Sequence, residues 1–140
     1  MPVTALAEVR SAVTGIRSAD LAAELASARL LLESSQVHLD YAPPPAGLPP
    51  DIERGLALVL REAATNIARH AEAARARIGF EVEPRSVQLC VEDDGRGGVS
   101  VDGNGLAGMR DRVRAMHGTL SIESPRGAGT KLLVRVGLPA

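Results

Sequence analysis

The chain has 140 residues, and 45% of them are apolar, which suits one domain with its own core. Its formal net charge of −1 at pH 7 excludes the basic surface of a domain that binds nucleic acid directly. Its two aromatic residues exclude stacking platforms for single-stranded nucleic acid, and its single cysteine excludes a disulfide framework and a cysteine-based zinc site. No signal peptide or long apolar run is found, so we expect a cytoplasmic protein without membrane contact from this segment.

Residues 1–17 carry an apolar pattern with the three- and four-residue spacing of a coiled-coil seam. The apolar positions are Leu6, Val9, Val13 and Ile16. Because the pattern covers only two heptads, it predicts the end of a longer helix that begins upstream. Residues 18–140 are predicted to form one separate domain.

The next segment is predicted to contain a helix, a strand and a loop. Ser18, Ala19 and Asp20 offer an N-cap for a helix that ends near Ser34. A short strand is predicted at residues 36–41. Five prolines in residues 42–50 predict a loop, since proline fits neither a helix interior nor an inner strand.

The strongest helical pattern runs from residue 51 to about residue 72, where an apolar stripe repeats at helical period. Beside it lies a polar stripe at i, i+4, i+7 and i+8, formed by Glu62, Asn66, Arg69 and His70. Carboxylate and amide oxygens one turn apart, next to a cation and an imidazole, suit a Mg²⁺-bound polyphosphate. A solvated helix face explains the same stripe, so the stripe alone leaves both interpretations open.

Strands and glycine-rich loops follow the long helix. The predicted strands cover residues 76–82, 86–92, 119–124 and 130–137. A helix over residues 106–117 is predicted to end with Gly118 in a C-cap position. This order of elements predicts a two-layer α/β domain, an α+β sandwich in which one mixed sheet carries its helices on a single face.

Three glycine-rich segments carry signals for a ligand. Asp93-Asp94-Gly95-Arg96-Gly97-Gly98 follows a strand, and a carboxylate there can accept a hydrogen bond from an exocyclic amine of a flat ligand. Residues 103–108 open a helix, where backbone N–H groups form an anion site. Gly127-Ala128-Gly129-Thr130 lies between two strands, and taken alone it is explained by an ordinary hairpin.

Residues 103–108 also match the G-x-G-x-x-G pattern of dinucleotide-binding proteins. In those proteins the pattern follows a strand directly, near the start of a βαβ unit, whereas here it follows a glycine loop late in the chain. A dinucleotide-binding oxidoreductase is therefore a distant alternative. No G-x-x-x-x-G-K-[ST] segment occurs, which excludes a P-loop protein.

Taken together and in order, these segments resemble the nucleotide-binding boxes of the GHKL ATPases, which include gyrase, Hsp90, histidine kinase and MutL types. Residues 61–71 resemble the N box, 93–97 the D-x-G-x-G box, 103–108 the second glycine box and 127–130 the G-x-G-T box. The wording of residues 105–113 is similar to histidine kinases whose response regulators carry a helix-turn-helix output domain. The resemblance implies a Bergerat-type ATP-binding fold, preceded in residues 1–17 by the end of a dimerisation helix.

The resemblance also implies a role for each matching residue. Glu62 would orient or help activate the attacking imidazole, and Asn66 would coordinate Mg²⁺. Arg69 and His70 would lie near the phosphates and the ribose, and Asp93 would accept a hydrogen bond from the adenine amino group. The base pocket, the lid over the phosphates and the adenine side would be formed by Gly95, Gly97, Gly103, Gly105, Leu106, Gly108 and Thr130.

The implied function is to bind ATP with Mg²⁺ and to transfer the γ-phosphoryl group to a histidine on a dimerisation helix. None of His38, His70 and His117 lies in a His-Asp or His-Glu segment like the family's phosphoacceptor. We therefore expect the acceptor on a helix missing from this chain, with a response regulator as an indirect partner. An anti-sigma-type serine kinase and a pseudokinase that only binds nucleotide are the alternatives.

Overall fold

A computed structural model describes residues 20–98 and 106–139, so the helix predicted in residues 1–17 and most of the predicted lid between Gly97 and Gly105 lie outside it. Within these ranges the order is α1 (Leu21–Ser34), β1 (His38–Tyr41), α2 (Pro50–Asn66) with a π-helical extension (Ile67–Ala71), β2 (Arg75–Glu83), β3 (Ser86–Asp93), α3 (Leu106–Ala115), β4 (Thr119–Glu123) and β5 (Thr130–Gly137). None of the helices in the two described ranges is long and apolar enough to cross a bilayer.

The five strands form one mixed sheet in the order β1-β2-β3-β5-β4, in which only β1 and β2 are parallel. Along β3 the side chains of Val87, Leu89 and Val91 are buried, while those between them are partly exposed. This alternation shows that one face of the sheet is covered by the helices. The predicted two-layer α/β architecture is confirmed.

The core consists of aliphatic side chains, as the scarcity of aromatic residues requires. On α2, Leu56, Val59 and Leu60 are completely buried, and from the sheet Leu89 and Val134 meet them. The apolar stripe that predicts this helix is therefore the stripe that packs on the sheet. Asn66, on the polar flank of α2, is left to face a cavity between the helices and the sheet.

Helix α1 begins where the sequence predicts it. The side chain of Asp20 accepts a hydrogen bond of 2.8 Å from the N–H of Ala22, which satisfies one of the free donors of the first turn. From the same helix the buried carboxylate of Glu24 accepts bonds of 3.1 and 2.8 Å from Arg61 on α2. This ion pair raises the pKa of Arg61 and fixes α2 against α1.

The long helix differs from the prediction at its carboxyl end. The α-helical hydrogen bonding stops at Asn66, and residues 67–71 continue as a π-helix that ends at Glu72 with a φ of 54°. A π-helix pairs residues five apart, so it changes the angular spacing of the side chains that follow Asn66. The single polar stripe predicted from Glu62 to His70 is therefore interrupted after Asn66.

The end of α3 also corrects a prediction, since His117 and not Gly118 adopts the left-handed conformation, with a φ of 58°. The N–H of Gly118 donates to the carbonyl of Val113 at 2.9 Å, which closes a Schellman-type turn around His117. Glycine is needed at 118 for space, because a Cβ there would lie 2.7 Å from the carbonyl oxygen of Arg135.

Candidate functional site

A cavity of about 540 Å³ opens between the end of α2, the start of α3 and the carboxyl end of β3. Its lining combines residues from both layers of the domain: Ala63, Asn66, Ile67, His70, Val91, Asp93, Arg96, Gly97, Gly98, Leu106, Ile122, Arg126, Thr130 and Leu132. The size and the mainly apolar walls with a few polar groups are typical of a small-molecule site.

The two acidic residues that follow β3 have different surroundings. Asp93 is half-buried in the cavity wall, and its Oδ1 accepts a 2.8 Å hydrogen bond from the N–H of Gly95. Burial raises the pKa of the Asp93 carboxyl group above its ordinary value, against the lowering effect of that bond and of a backbone bond from Thr130. Asp93 can thus offer a hydrogen-bond acceptor to a bound ligand at a position that is partly shielded from solvent.

Asp94 instead points out of the cavity and is exposed. Its Oδ1 accepts 2.9 Å hydrogen bonds from the N–H groups of Ala74 and Arg75, at the start of β2. These backbone donors lower the pKa of Asp94. The acidic pair therefore divides into one residue that faces the cavity and one that fixes the neighbouring strand.

The loop that carries Asp93 is held against the β4–β5 turn by backbone contacts. The N–H of Gly98 donates to the carbonyl of Ser124 at 2.8 Å, and the N–H of Gly127 donates to that of Arg96 at 2.6 Å. Gly97 has a φ of +64°, and a Cβ on it would collide with the carbonyl oxygen of Pro125. Only glycine fits at 97. Because the two backbone hydrogen bonds join the D-x-G-x-G loop to the β4–β5 turn, the two segments form one continuous wall.

On the opposite wall, the polar stripe of the long helix separates into three environments. Asn66 and His70 line the cavity, whereas Arg69 is exposed and is not among the lining residues. Glu62 accepts a 2.6 Å ion-paired hydrogen bond from Nε of Arg112 on α3 and is also outside the lining. The interruption of the α-helix after Asn66 accounts for the separation of Arg69 from the other members.

Gly108 on α3 lies next to Glu62, because a Cβ on it would come within 3.2 Å of the Oε2 of Glu62. Neither Gly108 nor the buried Gly95 lines the cavity. Of the remaining predicted site residues, Gly97, Leu106 and Thr130 line it together with Asn66, His70 and Asp93. Gly103 and Gly105 lie outside the described residues.

Sequence reasoning missed part of the cavity lining. The apolar members Ala63, Ile67, Val91, Ile122 and Leu132 have the periodicity of ordinary core residues, and no local signal separates them from the core. Arg96, Gly98 and Arg126 also line the cavity. Their position inside or beside the glycine segments was a usable signal, because those loops were expected to reach the ligand.

The family model of the histidine kinase-, DNA gyrase B- and HSP90-like ATPases matches residues 51–140. The chain belongs to this family. The matched residues include every residue that lines the cavity and the four segments that resemble the nucleotide-binding boxes.

Curated relatives of this ATPase family member are sensor kinases. The sensor histidine kinase DesK of Bacillus subtilis is 31% identical over 139 residues, which cover 95% of this chain and 37% of DesK. The signal transduction histidine-protein kinase/phosphatase UhpB of Salmonella typhimurium is 35% identical over 105 residues, covering 73% of this chain and 20% of UhpB. The chain thus spans 37% of the length of DesK and 20% of the length of UhpB.

Solved structures agree with the fold. The blue-light activated histidine kinase of Erythrobacter litoralis EL346 superimposes with a TM-score of 0.72 over 85% of this chain and 42% of that one, at 22% identity. The ATP binding domain of PrrB from Mycobacterium tuberculosis superimposes with a TM-score of 0.66 over 86% of this chain and 96% of that one, also at 22% identity. The predicted Bergerat-type ATP-binding fold is confirmed.

Proposed function

We propose that this domain binds Mg-ATP in the cavity and transfers the γ-phosphoryl group to a histidine on a dimerisation helix of a parent sensor kinase. The observation that supports this most strongly is the arrangement of the cavity. A half-buried carboxylate, Asp93, lies at the carboxyl end of β3, while an amide and an imidazole, Asn66 and His70, lie on the helical wall. The base of ATP needs a hydrogen-bond acceptor such as the Asp93 carboxylate. Its polyphosphate needs polar groups such as the Asn66 amide and the His70 imidazole at the other end of the site.

Asp93 is proposed to accept a hydrogen bond from the adenine amino group, with Gly95 and Gly97 shaping its loop and Thr130 beside it. In β3 and β5, Asp93 and Thr130 are register partners, and the hydroxyl groups of Thr130 and Ser124 are 2.7 Å apart. The apolar lining residues supply area for the faces of the purine ring. Leu106, at the start of α3, is proposed to complete the apolar cover of the ring.

The residues of the helical wall fit a magnesium ion that is held mainly by phosphate and water. Among residues 20–98 and 106–139 there is no group of three or more His, Cys, Asp or Glu that could hold a metal ion by itself. Mg²⁺ needs only one or two protein oxygens when it binds with substrate phosphates. The side-chain oxygen of Asn66 would be that ligand, and the bound ion would neutralise phosphate charge during transfer.

Glu62 is proposed to orient the attacking imidazole from the rim of the cavity. Its carboxylate is held by Arg112 and lies close to Gly108, where a Cβ would come within 3.2 Å of Oε2, so its position is fixed by α3. Phosphoryl transfer depends mostly on such positioning and on charge neutralisation, since the transition state is loose. Arg69, which is exposed, would act on phosphates only at the cavity entrance, and Gly103 and Gly105 would form the lid above it.

The parent kinase is proposed to present its histidine on dimerisation helices, to pass the phosphoryl group on to a response regulator and to work in the cytoplasm, where ATP is available. Serine phosphorylation of an anti-sigma type is the second candidate, but the curated relatives named above are histidine kinases. A nucleotide-binding pseudokinase is the third, and the presence of Glu62, Asn66 and Asp93 together favours an active domain over it.

A transfer assay tests the proposal. The chain is incubated with γ-labelled ATP and Mg²⁺, alone and with a separate fragment that carries the histidine-bearing helices of the parent kinase. We expect label only on the fragment, as acid-labile and base-stable phosphate. Acid-stable label would favour the serine kinase, and tight ATP binding without any transfer would favour the pseudokinase.

A further inference from the structure

The β4–β5 turn contributes a cation to the cavity that none of the proposed roles uses. Arg126 lines the cavity, yet it precedes the G-x-G-T segment and belongs to no nucleotide-binding box. It is exposed, and the ion pairs found among the described residues do not include it. A free guanidinium group on a ligand cavity calls for a ligand contact.

The turn places Arg126 at the end of the cavity where Asp93 lies. Asp93 pairs in register with Thr130, and a Cβ on Gly129 would collide with the carbonyl oxygen of Asp93. The turn at residues 125–129 therefore packs directly on the loop that carries Asp93. If Asp93 marks the adenine end, Arg126 is a neighbour of the base and not of the helical wall that carries Asn66.

The side chain of Arg126 crosses the glycine loop beside the cavity. A Cβ on Gly98 would lie 3.3 Å from the Cγ of Arg126 and 4.0 Å from its Nε. Because Gly98 has no side chain, the stem of Arg126 can lie over this loop and bring its planar head above the cavity. Gly98 also lines the cavity, so the stem of Arg126 lies at the cavity rim.

A purine in this cavity needs cover on both faces. The sheet offers Val91, Ile122 and Leu132 on one side, and none of the described lining residues is Phe, Tyr or Trp. A guanidinium plane stacks on a base in place of an aromatic ring and adds a cation–π attraction. Arg96 and Arg126 both bring a guanidinium group to the lining at this end, and Arg126 is the one whose stem lies against Gly98.

We propose that Arg126 stacks on the outer face of the adenine ring and so sets the affinity of the site for adenine compounds irrespective of their phosphates. The inference rests on the proposed function, in which the cavity binds adenine with Asp93 as its anchor. A contact with the base contributes equally to the affinity for adenosine, AMP, ADP and ATP. A contact with a phosphate contributes more as the number of phosphates rises.

Arg126→Met keeps the stem and removes the charged plane. We would measure the Kd of adenosine, AMP, ADP and ATP with Mg²⁺, for the unchanged chain, for Arg126→Met and for Arg85→Met as the matched control. Arg85 is an exposed arginine of the β2–β3 turn, at the opposite end of β3. We expect Arg126→Met to weaken all four ligands by about the same factor, roughly tenfold, and to do so in 0.5 M salt as well, while Arg85→Met has no effect.

A loss that grows from adenosine to ATP and fades in salt would overturn the inference, since it would identify Arg126 as a phosphate ligand. Unchanged affinity for all four compounds would overturn it as well. A chain that binds none of them before substitution would refute the proposed function instead. Melting temperatures are compared first, and Arg126→Lys, which keeps the charge without the plane, serves as the second variant if Arg126→Met is unstable.

Discussion

Asp93→Asn removes the proposed acceptor for adenine while it preserves the shape of the loop. The amide oxygen of asparagine can still accept the hydrogen bond from Gly95, which leaves the amide NH₂ to face the cavity. Two donors, that NH₂ group and the adenine amino group, then face each other. A hydrogen bond to a charged group is worth about 1.5–3 kcal/mol, so we expect the Kd of ATP to rise roughly tenfold to a hundredfold.

The stability of this variant is predicted from the direction of the pKa shift. The pKa of Asp93 is raised in the folded state, so its ionised form is disfavoured there and its contribution to stability is lost as pH rises through the folded pKa. A neutral isostere should therefore leave the melting temperature at neutral pH unchanged or slightly higher. The ionised carboxylate of Asp93 is a stronger acceptor for the adenine amino group than the protonated form, so adenosine binding to the unchanged chain should weaken as pH falls through that raised pKa.

Titrations of ATP, GTP and adenosine by calorimetry, from neutral pH down to the ordinary carboxyl pKa, test these expectations. Asp94→Asn is the matched control, since its side chain is directed to Ala74 and Arg75 and not to the cavity. We expect Asp93→Asn alone to lose the pH dependence of adenosine binding and to narrow the preference for ATP over GTP. If Asp94→Asn weakens ATP as strongly as Asp93→Asn does, our separation of the two carboxylates is refuted.

Three further predictions concern the other parts of the site. Asn66→Ala should keep the melting temperature, because Asn66 is on the cavity wall and no core space opens, while calorimetry shows ATP affinity that no longer responds to Mg²⁺; a collapse in stability would make Asn66 structural. Gly97→Ala should cost several times the roughly 1 kcal/mol expected of Gly127→Ala, measured by urea unfolding, because both have positive φ but only Gly97 abuts a backbone carbonyl; equal costs would contradict the close approach. Asp94→Ala should lose about 1 kcal/mol of unfolding free energy at neutral pH, and this difference should vanish as pH falls through the lowered folded pKa, since the charged acceptor stabilises only above it; a difference that persists in acid would contradict this origin.

The fold follows from local patterns wherever the patterns are long. The apolar stripe of α2 and the alternation in β3 and β5 are set by burial on one face, and burial repeats at the period of the element. Element boundaries depended on single residues, and they were correct where a side chain acts on its own neighbours, as Asp20 does in capping α1.

The differences arise where tertiary contacts decide. No residue type signals the change to π-helical hydrogen bonding after Asn66, and with it the angular position of Arg69 could not be derived from a helical period. At the end of α3 the close approach of Arg135 requires glycine at 118, and the left-handed conformation is adopted by His117. The pairing of β3 with β5, which one sequence does not reveal, brings the turn that carries Arg126 against the loop that carries Asp93.

The proposed nucleotide site is the cavity between α2, the start of α3 and the carboxyl end of β3. The direct measurement is a titration of the ¹⁵N-labelled chain with Mg-ATP, followed by the backbone amide shifts in NMR spectra. We predict saturable changes that concentrate at Asn66, Asp93, Gly97 and Thr130, with none at the outer groove of α1 around Leu30 and Tyr41, a second hollow on the surface. Shifts centred on that outer groove, or no shifts at millimolar Mg-ATP, would contradict the account.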